Sequence, residues 1–174
     1  MNYMKTITDK AQFPKDKIIT FMNTLEDEKK HFLYSIDDVL DSEVLIYEEQ
    51  NGRIIGMSGF RFLPGFFGKL LKLPVAYVVI LKEFQGQSIG SKLFAERYRV
   101  AEQSYNYLLN TTAKDNQKML NLMKKMDYKI VGETDGRCYF INTFNNKGVA
   151  MYHLLKCGLF LLVLFRNASS KLTP

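Results

Sequence analysis

"VVILKEFQGQSIGSKLF", residues 78–94, passes from an apolar, β-branched run through Gln85-Gly86-Gln87-Ser88-Ile89-Gly90-Ser91 into an amphipathic segment. A strand that stops here and a helix that starts leave the first N–H groups of the helix without intrahelical partners, pointing together and carrying partial positive charge. Such a place binds phosphate. Gly86 and Gly90 permit close backbone approach, and Ser88 and Ser91 can add hydroxyl donors. The stretch lacks the Lys-Ser/Thr ending of a P-loop and the three-glycine spacing of a dinucleotide fingerprint, so neither reading applies. Taken alone, it reads equally as a turn with a serine-rich helix cap.

The neighbouring segments supply the order in which this junction sits. "YMKTIT" alternates as a first strand, and after Pro14 the run "KDKIITFMNTLEDEKKHFLYSIDDVL" has the spacing of one or two helices. "EVLIYEEQNGRIIGMSGFRF" gives two strands joined at Asn51-Gly52, a pair whose tolerance of positive φ suits a type I′ hairpin. "VAYVVIL" has the β-branched density of a buried strand. From Ile89 to Ser104 a helical stripe holds Ile89, Leu93, Val100 and Ala101, interrupted by Arg97. "YLLNTT" is a short strand, "NQKMLNLMKKM" a helix with Met119, Leu122, Met123 and Met126 on one face, and "YKIVGE" and "RCYFINTF" a last hairpin turning at Asp135-Gly136. The order β, α, α, β, β, β, α, β, α, β, β predicts a layered α/β or α+β domain.

Composition bounds the setting. The 174 residues, 47% apolar and 13% aromatic, fill one core. Two distant cysteines, Cys138 and Cys157, form neither a disulfide framework nor a metal-ligand spacing, so no metal site is expected. The N-terminal stretch has no apolar h-region or cleavage site, and a reducing, cytoplasmic setting is expected. After Asp135 no acidic residue occurs while five basic ones do, so nearly all of the net +6 lies in the tail. No helix-turn-helix, zinc spacing or arginine cluster accompanies that charge, which excludes a nucleic-acid partner.

The loop "QGQSIG", the following helix, the strand "YLLNTT" and "KDNQKMLNLMKKMDY" together resemble the core of the GNAT superfamily of N-acetyltransferases over residues 44–142. Gln85, Ser88 and Gly90 match the loop positions of that pattern, Asn116 its asparagine and Tyr128 its aromatic residue. The resemblance implies a mixed, mostly antiparallel central sheet with splayed parallel strands at its centre and helices on both faces. It implies acetyl-CoA as co-substrate, its arm held by N–H groups around Val79, Ile80 and Leu81 with Asn116 opposite, and its pyrophosphate on the amides of Gln85, Gly86, Gln87, Ser88, Ile89, Gly90 and Ser91. The expected activity is direct acetyl transfer to a primary amine of a small molecule or peptide.

Four positions depart from the family pattern. Ser88 replaces the first loop glycine, so the backbone is expected to manage there without left-handed freedom, and Asp127 replaces the glycine before the aromatic. Met123 stands where many relatives carry a tyrosine acid, and Thr111 where some carry a glutamate base. Tyr77, Glu48 and Glu49 are the candidates left by position for a base, Tyr77 being put forward; His31 and His153 are not favoured. The empty acid and base positions raise an alternative, a catalytically weak module that binds CoA thioesters.

Two segments fall outside the pattern. "RFLPGFFGKLLKLP", residues 61–74, is an apolar, basic excursion, read as a loop packing over the core or lining an acceptor pocket. Residues 146–174 form an apolar, basic extension beyond a domain at 1–145, expected to pack on that domain or in a homodimer. Peripheral membrane contact through it, with a longer acyl donor, is the remaining reading.

Overall fold

The computed structural model describes residues 3–25, 34–63 and 72–159, the side chains of the last two residues excepted. Its elements in chain order are β1 (Tyr3–Ile7), α1 (Lys15–Asn23), α2 (Ile36–Leu40), β2 (Val44–Gln50), β3 (Arg53–Phe62), β4 (Pro74–Ile80), α3 (Ile89–Ser104), β5 (Tyr107–Ala113), α4 (Gln117–Lys125), β6 (Lys129–Glu133), β7 (Arg137–Thr143) and α5 (Asn146–Leu154). The class is mixed α/β with a mostly antiparallel sheet of seven strands. Most of the 61–74 excursion and of the apolar C-terminal run, together with His31, lies outside the described residues.

The chain divides into two compact units, Met1–Arg61 with Ala76–Val100, and Phe62–Val75 with Ala101–Pro174. In the first, the strand order is β1-β2-β3-β4. β1 pairs antiparallel with β2, and β2 with β3, in a hairpin whose register shifts between Glu48 and Glu49. Asn51 and Gly52 both take positive φ, 51° and 80°, as a type I′ turn requires. The inner face of these strands closes on α1 and α2 through Leu45, Tyr47, Ile54, Met57, Tyr77 and Val79, which meet Phe21, Leu25 and Val39. Fully burying an aromatic or aliphatic side chain of this kind stabilises by about 1.5–3 kcal/mol.

In the second unit the order is β5-β7-β6, with β5 and β6 each antiparallel to β7. Leu109, Val131 and Ile141 build a core that Met151, Tyr152 and Leu155 of the C-terminal extension join. Asn145 opens α5 by accepting from Lys147 N and Gly148 N, and the helix passes into a π-turn over Leu155–Leu159. Gly148 is required here. A Cβ on it would strike the Asn106 carbonyl oxygen.

Candidate functional site

The junction after β4 is built by short-range bonds. Leu81 donates its N–H to Ile55 O at 3.1 Å, a single 3₁₀ turn covers Lys82–Phe84, and Gln85 donates its N–H back to Lys82 O at 3.2 Å. The chain then needs left-handed backbone twice, at Gly86 (φ 85°) and at Ser88 (φ 62°). The expectation at Ser88 is thereby corrected: the turn imposes left-handed geometry on a residue with a Cβ, and the residue adopts it. Ser88 O accepts from Lys92 N at 3.1 Å, which starts the bonding of α3.

Ile89, Gly90 and Ser91 are the first residues of α3, so their N–H groups have no intrahelical acceptor. Gln85 through Ser88 and Ser91 are exposed, whereas Ile89 is 2% exposed and pins the helix start into the first unit. The two glycines do different work. A Cβ on Gly86 would meet nothing within 4 Å, so its surroundings are open and its positive φ is the constraint. A Cβ on Gly90 would come within 2.6 Å of Ile80 Cδ1, so that glycine lets helix and strand pack closely. An exposed row of main-chain donors beside open space fits a diphosphate.

Along β4, Val79 is buried and Ile80 half-buried. Leu81, the third residue expected to offer an N–H to a ligand, already gives it to Ile55 and would have to release that bond. Two β4 carbonyls are served by side chains. Tyr77 O accepts from Ser58 Oγ at 2.8 Å and from Arg97 Nη1 at 2.7 Å, and Ile80 O accepts from Gln85 Nε2 at 3.4 Å. Arg97, which interrupts the apolar stripe of α3, is fully buried, with its guanidinium carbon 4.4 Å from the Phe94 ring centre. The interrupted stripe was the sequence signal for it; that its partner would be a strand carbonyl was not readable.

The base candidates are all enclosed. The Tyr77 hydroxyl lies 2.9 Å from Ser42 Oγ in the core, and burial pushes its pKa well above the ordinary phenol value. Enclosed there, Tyr77 is poorly suited to accept a proton, since a phenolate would be desolvated. Glu49 accepts from Lys17 Nζ at 2.7 Å, and that bond, with one from Tyr3, holds its carboxyl below the usual range. Glu48 is 4% exposed, closed off from solvent. His153 is exposed on α5 with its ring against Tyr152.

In the second unit, Asn116 caps α4 by accepting from Met119 N at 3.1 Å. Met123, at the position of the missing acid, is 1% exposed. Thr111, at the position of the missing base, accepts from Arg137 Nε at 3.1 Å, so a cation stands where a carboxylate would serve. Asp127 takes φ 55°, as expected of a residue that closes a helix. Among the described residues no cluster of His, Cys, Asp and Glu could hold a metal ion, and no helix is long and apolar enough to cross a membrane.

The profile of the acetyltransferase (GNAT) family matches residues 11–128. No curated protein matches the chain. A GNAT-family acetyltransferase of Streptococcus pneumoniae has a similar structure, with a TM-score of 0.64 at 15% identity, over 83% of this chain and 100% of that one. An N-acetyltransferase of Staphylococcus aureus Mu50 gives 0.64 at 13% identity, over 83% and 99%. A Salmonella typhimurium protein described as an acetyltransferase, solved with its cofactor acetyl-CoA, gives 0.62 at 14% identity, over 82% and 95%. At these identities the likeness is one of fold.

Proposed function

The chain belongs to the acetyltransferase (GNAT) family, whose co-substrate is acetyl-CoA, and from that we propose that it transfers the acetyl group directly to a primary amine of an acceptor. One observation carries this reading: the exposed turn from Gly86 to Ser91, twice left-handed, that delivers unpartnered main-chain donors at the start of α3. In this reading the amides of Gly86 through Ser91 hold the pyrophosphate, while the N–H groups of Val79 and Ile80 face the pantetheine arm and the thioester carbonyl. Asn116, which caps α4, is a further residue proposed for the co-substrate. A thioester supplies an acyl carbon open to attack and a thiol leaving group with pKa near about 8.5.

The residues of this chain then have mainly to bind and orient. Proper orientation of bound reactants is worth as much as about 7–11 kcal/mol of barrier. A missing general acid costs only about 10²- to 10⁴-fold. The scarcer requirement is a neutral amine, because a lysine-like amine with pKa of about 10.4 is almost wholly protonated at pH 7. Among the described base candidates Tyr77 and Glu48 are enclosed and Glu49 is paired, so an amine that arrives neutral or loses its proton to water needs none of them.

A second reading is favoured by Met123 and Thr111: a module that binds CoA thioesters and turns them over slowly or not at all. Titration calorimetry with CoA, followed by thiol release from acetyl-CoA over a panel of amines, separates the two. Binding with release supports transfer, binding without release across the panel supports the module, and no binding overturns both. For the C-terminal extension we propose intramolecular docking, supported by the placing of Met151, Tyr152 and Leu155 in the core of the second unit.

A further inference from the structure

A strand inside a sheet ordinarily spends its carbonyls on the N–H groups of its neighbours. Two β4 carbonyls also receive side chains. Tyr77 O accepts from two side chains, Ser58 Oγ at 2.8 Å and Arg97 Nη1 at 2.7 Å. Three residues on, Ile80 O receives Gln85 Nε2 at 3.4 Å, and Leu81 N is tied to Ile55 O at 3.1 Å. The segment Val78–Ile80 is thus bracketed by side-chain bonds at Tyr77 O and Ile80 O and by the main-chain bond of Leu81.

The clamp at the Tyr77 end is unusually stiff. Ser58 and Arg97 are each fully buried and also bond to one another, Arg97 Nη1 to Ser58 Oγ at 3.3 Å, closing a ring of three groups. Phe94, one turn before Arg97 on α3, covers the guanidinium at 4.4 Å. Burying a guanidinium is costly unless its donors are met, and a hydrogen bond from a charged donor is worth more than a neutral one. The helix whose first turn is proposed to hold the diphosphate is thereby coupled to β4 through Arg97.

We propose that Arg97, assisted by Ser58, is a positioning residue for acetyl-CoA: by holding Tyr77 O it sets the backbone of Val79 and Ile80 at the angle their N–H groups need to meet the thioester arm. This rests on the reading given under the proposed function. It predicts a division of labour along the co-substrate, the nucleotide end being served by the Gly86–Ser91 turn and the arm by the clamped strand. Loss of the clamp should weaken grip on the arm and spare the nucleotide.

The test measures, by titration calorimetry, the affinities of wild type, Arg97→Gln, Arg97→Lys and Ser58→Ala for acetyl-CoA and for 3′-phosphoadenosine 5′-diphosphate, the nucleotide end alone. Arg97→Gln is expected to lose about tenfold in acetyl-CoA affinity, the scale of one charge-assisted bond, with nucleotide affinity unchanged. Arg97→Lys should recover part of the loss, and Ser58→Ala should show a smaller selective loss of about threefold. If Arg97→Gln does not fold, the latter two variants carry the test by the same criterion. Equal loss for both ligands, or loss for neither, overturns the proposal. A wild type that binds the nucleotide but gains nothing from the arm also overturns it, leaving the diphosphate site standing, whereas a wild type that binds neither overturns the functional reading and this inference with it.

Discussion

Ser88 shows how a local turn can override what its residue prefers. At φ 62° it occupies a conformation that costs a residue with a Cβ about 1–2 kcal/mol, a cost glycine avoids. Glycine in turn gives the unfolded chain more freedom, worth roughly 0.5–1 kcal/mol. The balance leaves Ser88→Gly slightly stabilising, by about 0.5 kcal/mol, or one to two degrees in melting temperature for a chain of this size. Ser88→Val, which adds β-branching at the same dihedral, should destabilise by more than 1 kcal/mol. Thermal unfolding of both variants checks the signs, and a lower melting temperature for the glycine variant would mean that the Ser88 side chain contributes more than its backbone costs. Nucleotide affinity should survive both changes, because the donors assigned to the diphosphate are main-chain groups.

Helix α4 is bounded by two residues that sequence and structure read alike. At its start Asn116 accepts from Met119 N, and at its end Asp127 N and Tyr128 N return to the carbonyls of Lys124 and Met123 at 3.1 and 3.0 Å, a Schellman closure with Asp127 left-handed. The cap and the proposed ligand role of Asn116 can be parted. Asn116→Asp keeps an acceptor for Met119 N but loses the amide donor and adds a negative charge. Asn116→Ala loses the cap as well, at about 1 kcal/mol. The expected outcome is an unchanged melting temperature with weaker acetyl-CoA binding for the aspartate variant, and a fall in both for alanine; full binding by the aspartate variant would confine Asn116 to capping. Such helix ends, like the Asn51-Gly52 hairpin, were legible because short-range chemistry decides them. Arg97 was not, since its burial depends on Tyr77 O, a partner twenty residues away in a different kind of element. The enclosure of Tyr77 was equally hidden: a tyrosine on a strand reads the same whether its hydroxyl meets solvent or Ser42. Ser88 lay between these cases, its position visible and its dihedral not.

For the molecule as a whole, acid stability follows from which carboxylates folding favours in the charged form. Of the net +6, all but one charge falls in the tail beyond Asp135, so the remainder is nearly balanced near neutrality and gains uncompensated positive charge as carboxylates protonate. Glu49 is a buried member of this group, 2% exposed, with Lys17 Nζ at 2.7 Å and Tyr3 as a second donor. Those bonds lower its folded pKa beneath the ordinary value of about 4.3. A depressed carboxyl pKa contributes stability that is fully present above the unfolded value and is lost as pH falls through the folded one. Glu49→Gln removes the titration while keeping the side chain's size, and because Lys17 is 42% exposed the pair is screened and the loss at pH 7 is modest. Urea unfolding at pH 7, 5, 4 and 3 should therefore show wild type more stable than the variant down to about pH 4.3, with the gap closing below it. A gap that stays constant across the series would mean that shape or polarity at residue 49, and not the charge of its carboxylate, supports the β1–β2 edge against acid.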